Sequence, residues 1–112
     1  TISSVIVVRL AVQKTAQWNR LGFRGQARYD GTIKNANGYV YNETTSTSGP
    51  AYIFPVQQPS WEDFDEDLVY IDCSSLTDGD TYVFRFMIAV GSGPSTPQVR
   101  HLSAVVDYHV FP

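Results

Sequence analysis

Three features of the sequence predict an all-β fold, an antiparallel β-sandwich or jelly-roll-like Greek key spanning residues 1–112 as one domain. Apolar residues recur at period two in run after run, most cleanly at Tyr82, Phe84, Phe86, Ile88 and Val90. Clusters of Gly, Pro, Asn, Asp and Ser punctuate the runs. No segment carries the 3.6-residue periodicity of an amphipathic helix.

Taken in order, Ser4 to Val12 reads as a first strand. Ile6, Val8, Leu10 and Val12 share its more apolar face, and Val5, Val7, Arg9 and Ala11 occupy the other. A strand apolar on both faces needs cover on both, from a second sheet or a partner subunit. Lys14 to Trp18 extends it and brings Trp18 toward the core. Asn19 to Gly25, with two glycines and two arginines, reads as a loop, although Leu21 and Phe23 need cover. Gln26 to Lys34 resumes strand character. Asn35-Ala36-Asn37-Gly38 reads as a hairpin turn, because Asn-Gly suits positive φ. Tyr39-Val40-Tyr41 is the next strand, followed by a polar loop over 44–49 whose composition predicts mobility. Ala51 to Gln57 is a short strand placed on an edge by Pro55. Pro59 to Asp67 is an acidic loop holding Trp61 and Phe64.

The stretch from Leu68 to Val90 organises the chain. Val69, Ile71 and Cys73 alternate toward one face, and Thr77-Asp78-Gly79-Asp80 supplies a turn in which Gly79 takes positive φ. The run from Tyr82 to Val90 completes a central hairpin. After a turn at Ser92-Gly93-Pro94-Ser95, a last strand from Gln98 to Phe111 places Leu102, Ala104, Val106, Tyr108 and Val110 on one face. Seven to nine strands result.

Composition narrows the function classes. The chain has 112 residues, with six Phe, seven Tyr and two Trp, enough to build a core without staples. Its single cysteine, Cys73, excludes an internal disulfide. The chain opens on Thr1 with no charged, apolar leader and no long apolar run, and is expected to be a fragment of a longer chain without membrane insertion. The net charge of −3 is segregated. Arg9, Lys14, Arg20, Arg24, Arg28 and Lys34 meet only Asp30 in the first 34 residues, whereas residues 60–80 carry eight acids and no base. Opposite poles on one domain favour self-association or an oriented partner over nucleic-acid binding.

The acidic loop is the leading candidate metal site. Asp63, Asp65 and Asp67 alternate, and hard oxygen ligands at that spacing suit Ca²⁺. The glycine and final glutamate of an EF-hand loop are missing, and the competing expectation is a solvated loop whose charges block edge pairing. Trp61, Glu62 and Phe64 in this loop, with Thr45, Ser46 and Thr47 in the polar loop, are the candidate partner or receptor contacts. His101, Asp107 and His109 share a parity on the last strand and are weighed as a zinc pair without a third ligand. Cys73 lies on the apolar parity of its strand, with no activating motif. Asn42-Glu43-Thr44 fits the N-glycosylation pattern. Phosphate-cradling glycine loops, CxxC pairs and HExxH are absent from the sequence, so a catalytic role is not expected and no cofactor is called for beyond that calcium.

Leu76-x-x-Gly79-x-x-Tyr82-x-Phe84-Arg85-Phe86, ending in Ala89-Val90, resembles the E–F corner of a fibronectin type III domain. That resemblance implies a tyrosine corner closed by Tyr82, a C strand at Tyr39-Val40-Tyr41 and a core tryptophan at Trp18. In general character the whole chain also resembles the protruding domain of a small icosahedral RNA virus capsid protein of shrimp nodavirus type. That resemblance rests on the entry Thr1-Ile2-Ser3-Ser4, the apolar first strand, the polar Ser/Thr-rich loops and the closing Val105-Val106-Asp107-Tyr108-His109-Val110-Phe111. It implies a non-catalytic spike on the virion surface that forms a homodimer and meets a host-cell receptor or glycan. The alternative is a fibronectin- or immunoglobulin-like adhesion module of a cell-surface or secreted protein.

Overall fold

The computed structural model describes residues 3–30, 36–53, 60–90 and 96–108. Among the described residues, nine strands form two antiparallel sheets. The first sheet contains β1 (Ser3–Gln13), β8 (Thr81–Val90) and β3 (Ala36–Asn42), with the short β4 (Thr47–Ser48) and β5 (Tyr52–Ile53) both pairing with β3. The second is built on β2 (Trp18–Asp30), which pairs with β9 (Thr96–Tyr108) along one edge. Its other edge takes β7 (Tyr70–Asp72) and β6 (Glu62–Phe64). The expected β-sandwich is what the chain forms.

The residues between Asn19 and Gly25 are strand, not loop. Leu21 and Phe23 are fully buried, and β2 runs unbroken through both glycines. Gly22 has a packing reason rather than a turn to make: a Cβ there would meet the Val69 carbonyl oxygen at 2.6 Å and the Glu66 Cβ at 2.7 Å. Asn37-Gly38 likewise sits inside β3, opposite Ala89 and Ile88. The 44–49 segment holds regular structure despite its polar composition. Residues 43–46 form a tight turn, and β4 then pairs back onto Tyr41 and Asn42. Pro55, the proposed turn at 92–95, His109 and Val110 lie outside the described residues.

Bulges explain where simple alternation misleads. In β1 one extra residue falls between Ile6, opposite Met87, and Val8, opposite Phe86. The extra residue reverses the side-chain parity. Val8, Leu10 and Val12 pack on the core, but Ile6 turns to the outer face and is 46% exposed, with Val7 40% exposed. In β9 the extra residue lies between Arg100, opposite Gln26, and Ser103, opposite Arg24. His101 takes a φ of 55° there, so Val99 and Leu102 both reach the core although three residues apart.

The stretch from Leu68 to Val90 is not a hairpin. β7 pairs with β2, whereas β8 pairs with β1 and β3, so Thr77–Asp80 carries the chain from one sheet to the other. Gly79 holds φ at 93° as the turn requires. The Tyr82 hydroxyl accepts the Thr77 N–H at 3.0 Å and closes the tyrosine corner. The core lies between the sheets, where Phe23 stacks on Phe86 at 5.3 Å and Phe64 meets Phe86 at 5.8 Å. Trp18, Val40, Val69, Ile71 and Phe84 complete it. Full burial of each large side chain is worth roughly 1.5–3 kcal/mol.

The terminal strands pair differently from those of the immunoglobulin type. There the first strand lies beside the second and the last beside the one before it. Here β1 lies beside β8 and β9 beside β2, so the two terminal strands have exchanged sheets.

Candidate functional site

The outer face of the second sheet gathers four arginines, three carboxylates and two aromatic rings, those of Trp61 and Tyr70. Arg24, Gln26 and Arg28 alternate along β2 and so share that face, and Arg20 joins them at its start. Opposite them runs the acidic segment. Arg20 pairs with Asp67 at 2.7 Å and stacks over Tyr70 at 4.6 Å. Arg24 makes a two-pronged pair with Glu66, and the Gln26 amide donates to Asp63 at 2.8 Å. The Arg24 guanidinium holds the Glu66 carboxyl below its ordinary pKa. Two arginines of the basic first third thus meet the acidic segment within the domain.

These bonds engage the three carboxylates read as calcium ligands. Asp63 faces Gln26, Asp67 faces Arg20, and Asp65 works locally, its carboxylate accepting the Asp67 N–H at 3.0 Å and its carbonyl the Leu68 and Val69 N–H groups. Among the described residues, no three His, Cys, Asp or Glu side chains converge as metal ligands. The strand ends at Phe64 and a turn follows, so Asp63 and Asp67 reach side chains of β2 whereas Asp65 bonds within its own turn.

The two aromatic candidates part company. Phe64 is 3% exposed, a core residue on the inner face of β6, and offers no contact to a partner. Trp61 is half-buried under two guanidiniums, those of Arg28 and Arg100, each 4.2 Å from its ring centroid. Arg28 Nε donates to Gln98 and Arg100 Nε to Gln26, both at 2.7 Å. Glu62, in β6 opposite Ala27, is half-buried. Thr45, Ser46 and Thr47 are exposed, with the Thr45 and Thr47 hydroxyls 2.7 Å apart. They lie where β8 begins, beside the Asn42–Phe84 pair, whereas Trp61 lies by Ala27 toward the other end. The two candidate contact groups are therefore not one surface.

A cleft of about 510 Å³ opens beside the arginine row, lined by Arg24, Gln26, Asp63, Phe64, His101 and Ser103 among others. His101 reaches it because of the β9 bulge, and Gly25 lies at its floor, where a Cβ would stand 3.0 Å from the Arg100 carbonyl oxygen. His101 is exposed and pairs with no carboxylate in the cleft, while His109 and the Asp107 side chain lie outside the described residues. Cys73 is fully buried, and burial pushes its thiol up to about 11, the opposite of an activated nucleophile.

A second network lies on the outer face of the first sheet. Glu43 accepts from Arg9 Nε at 2.7 Å and from Arg85 Nη2 at 2.8 Å, and Arg85 lies over the Tyr41 ring. The two guanidiniums draw the Glu43 carboxyl down to about 2. Asn42, the first residue of the glycosylation pattern, is 1% exposed. Its side-chain oxygen accepts the Thr44 and Thr45 N–H groups at 3.0 and 3.2 Å, and the Thr44 hydroxyl accepts the Val83 N–H at 2.9 Å. The triplet is a structural cap of the turn, and the folded domain leaves no room for a glycan on it.

The Trp61–Arg28–Arg100 arrangement was missed as a site by sequence reasoning. The signal available was the shared parity of Arg24, Gln26 and Arg28. The partner Arg100 depends on the register between β2 and β9, which no local pattern encodes. Compared with protein-family models, with curated proteins and with solved structures, the chain matches none.

Proposed function

We propose that this chain is a non-catalytic assembly and recognition domain of the capsid-spike kind, which pairs with a second copy and meets a host-cell receptor with its outward surface. One observation carries the pairing. The two long outer strands, β1 and β9, lie on the same flank, since β9 packs across from β8 and β7 across from β3. Among the described residues, no strand pairs with the other edge of β1, and Ile6 and Val7 are exposed beside it. A long apolar edge is an open template for another strand unless something covers it. A two-fold axis along that flank would cover the edges in both copies at once. Virion-surface placement follows from this reading and from the resemblance of the sequence, and the exposed turn at Thr45–Thr47 is its candidate outward contact.

The tyrosine corner between Tyr82 and Thr77 favours a second reading, a fibronectin-like module that works as a monomer in a longer chain. Sedimentation over a dilution series separates the two. The spike reading expects a dimer that persists at low micromolar concentration, and a monomer throughout would move the assignment to the module.

A further inference from the structure

We propose that the cleft beside the arginine row binds a neutral sugar, whose hydroxyl groups are met by Arg24, Asp63, Asp65, His101 and Ser103. The inference adds a ligand class to the recognition role proposed above and does not rest on the dimer.

At about 510 Å³ the cleft falls within the range of small-molecule sites, roughly 300–1,000 Å³. The bulge in β9 shapes it. Leu102 turns to the core, so its neighbours His101 and Ser103 face outward, and Ser103 lies opposite Arg24. His101 holds a φ of 55°, a conformation that glycine adopts more easily. A histidine there gives the cleft an imidazole at a cost in backbone strain.

The polar side chains that line the cleft hold unused hydrogen-bonding capacity. Asp63 accepts from Gln26 and Asp65 from the Asp67 N–H, each through one carboxylate oxygen. Arg24 binds Glu66 through Nε and one Nη, which leaves its other Nη. Among the described residues, the His101 imidazole and the Ser103 hydroxyl bond to no protein group. The cleft thus offers donors and acceptors side by side. Adjacent sugar hydroxyls need both, because each donates and accepts at once. Gly25 and Phe64 also line it and supply apolar surface for the C–H groups of the ring. One arginine against three carboxylates disfavours an acidic sugar. An alkylammonium would leave the Arg24 and Ser103 donors unmatched.

Methyl glycosides of glucose, galactose, mannose and N-acetylglucosamine are the probes, with N-acetylneuraminic acid and butylammonium as the charged comparisons at constant ionic strength. Backbone amide resonances of residues 24–26 and 101–103 are the readout. At least one neutral glycoside should shift them saturably. Binding should weaken about tenfold in His101→Gly and in Asp63→Asn, equivalent to about 1.4 kcal/mol, and stay unchanged in Arg9→Gln. His101→Gly suits the positive φ and should fold at least as stably as wild type, which ties its loss of binding to the imidazole. Asp63→Asn can still accept from Gln26, and it decides the matter alone if the glycine variant fails to fold. No saturable glycoside, equal binding in wild type and variants, or a stronger response to either charged probe would overturn the site. A persistent dimer without a sugar response would refute this site alone, whereas sugar binding by a monomer would keep it and refute only the pairing.

Discussion

The Tyr82 hydroxyl and the Thr77 backbone N–H, 3.0 Å apart, join the last turn before β8 to the strand that follows it. Five residues separate them, and the turn between them takes the chain from one sheet to the other. Tyr82→Phe keeps the buried ring and deletes only this bond. It should cost about 1 kcal/mol in urea unfolding with an unchanged m-value. An unchanged midpoint would mean that the corner is held by packing alone.

Asn42→Ala should be more costly. It strips the acceptor from the Thr44 and Thr45 N–H groups inside a tight turn, and a loss of about 1–3 kcal/mol is expected. The same burial predicts that folded material made in a secretory host carries no glycan at Asn42, which intact mass would show.

Gly22→Ala tests the close approach of β2 to the 66–69 segment. A Cβ 2.6 Å from the Val69 carbonyl must push backbone, not a flexible side chain. The expected loss is about 1–3 kcal/mol, and the Arg24–Glu66 pair should loosen with it. Gly49, whose added Cβ would run into the Tyr70 carbonyl, should tolerate alanine no better.

Acid stability should follow Glu43. Unfolded, its carboxyl protonates near 4.5; folded, between Arg9 and Arg85, near about 2. Across that window the unfolded chain binds a proton that the folded chain does not, so stability falls as the pH drops. The contribution is complete above 4.5 and gone below about 2. Glu43→Gln should flatten the stability profile over that range, measured as urea midpoints at several pH values. An equally steep profile in the variant would assign the acid sensitivity elsewhere, with Glu66 the next carboxyl to replace because Arg24 lowers it in the same sense.

Strand identity was legible wherever alternation was undisturbed. The inward set Tyr82, Phe84, Phe86 and Ile88 is buried as its period requires, and so are Val69, Ile71 and Cys73. Ile6 was misplaced because a bulge is a property of pairing between β1 and β8, invisible along either strand alone. The segment from Asn19 to Gly25 looked like a loop because its glycines signal turns locally. Their real task at Gly22 is to let another chain segment approach, which only tertiary contact reveals. The charge segregation was legible, but its meaning was not. The basic β2 and the acidic segment satisfy each other once β6 and β7 pair with β2. The Asn42 triplet matched a modification pattern while serving the backbone, since a side-chain oxygen near a turn has N–H groups within reach.

Hydrogen exchange along β1, followed at low and high protein concentration, tests the assembly reading most directly. Amides of β1 that point toward β8 are protected in any state, whereas those on the other edge have no strand partner among the described residues. If two copies pair along this flank, the outward amides around Ile6 to Ala11 slow markedly as concentration rises through the micromolar range. Outward amides that exchange at the same rate at every concentration would contradict pairing through β1, and with it the central claim.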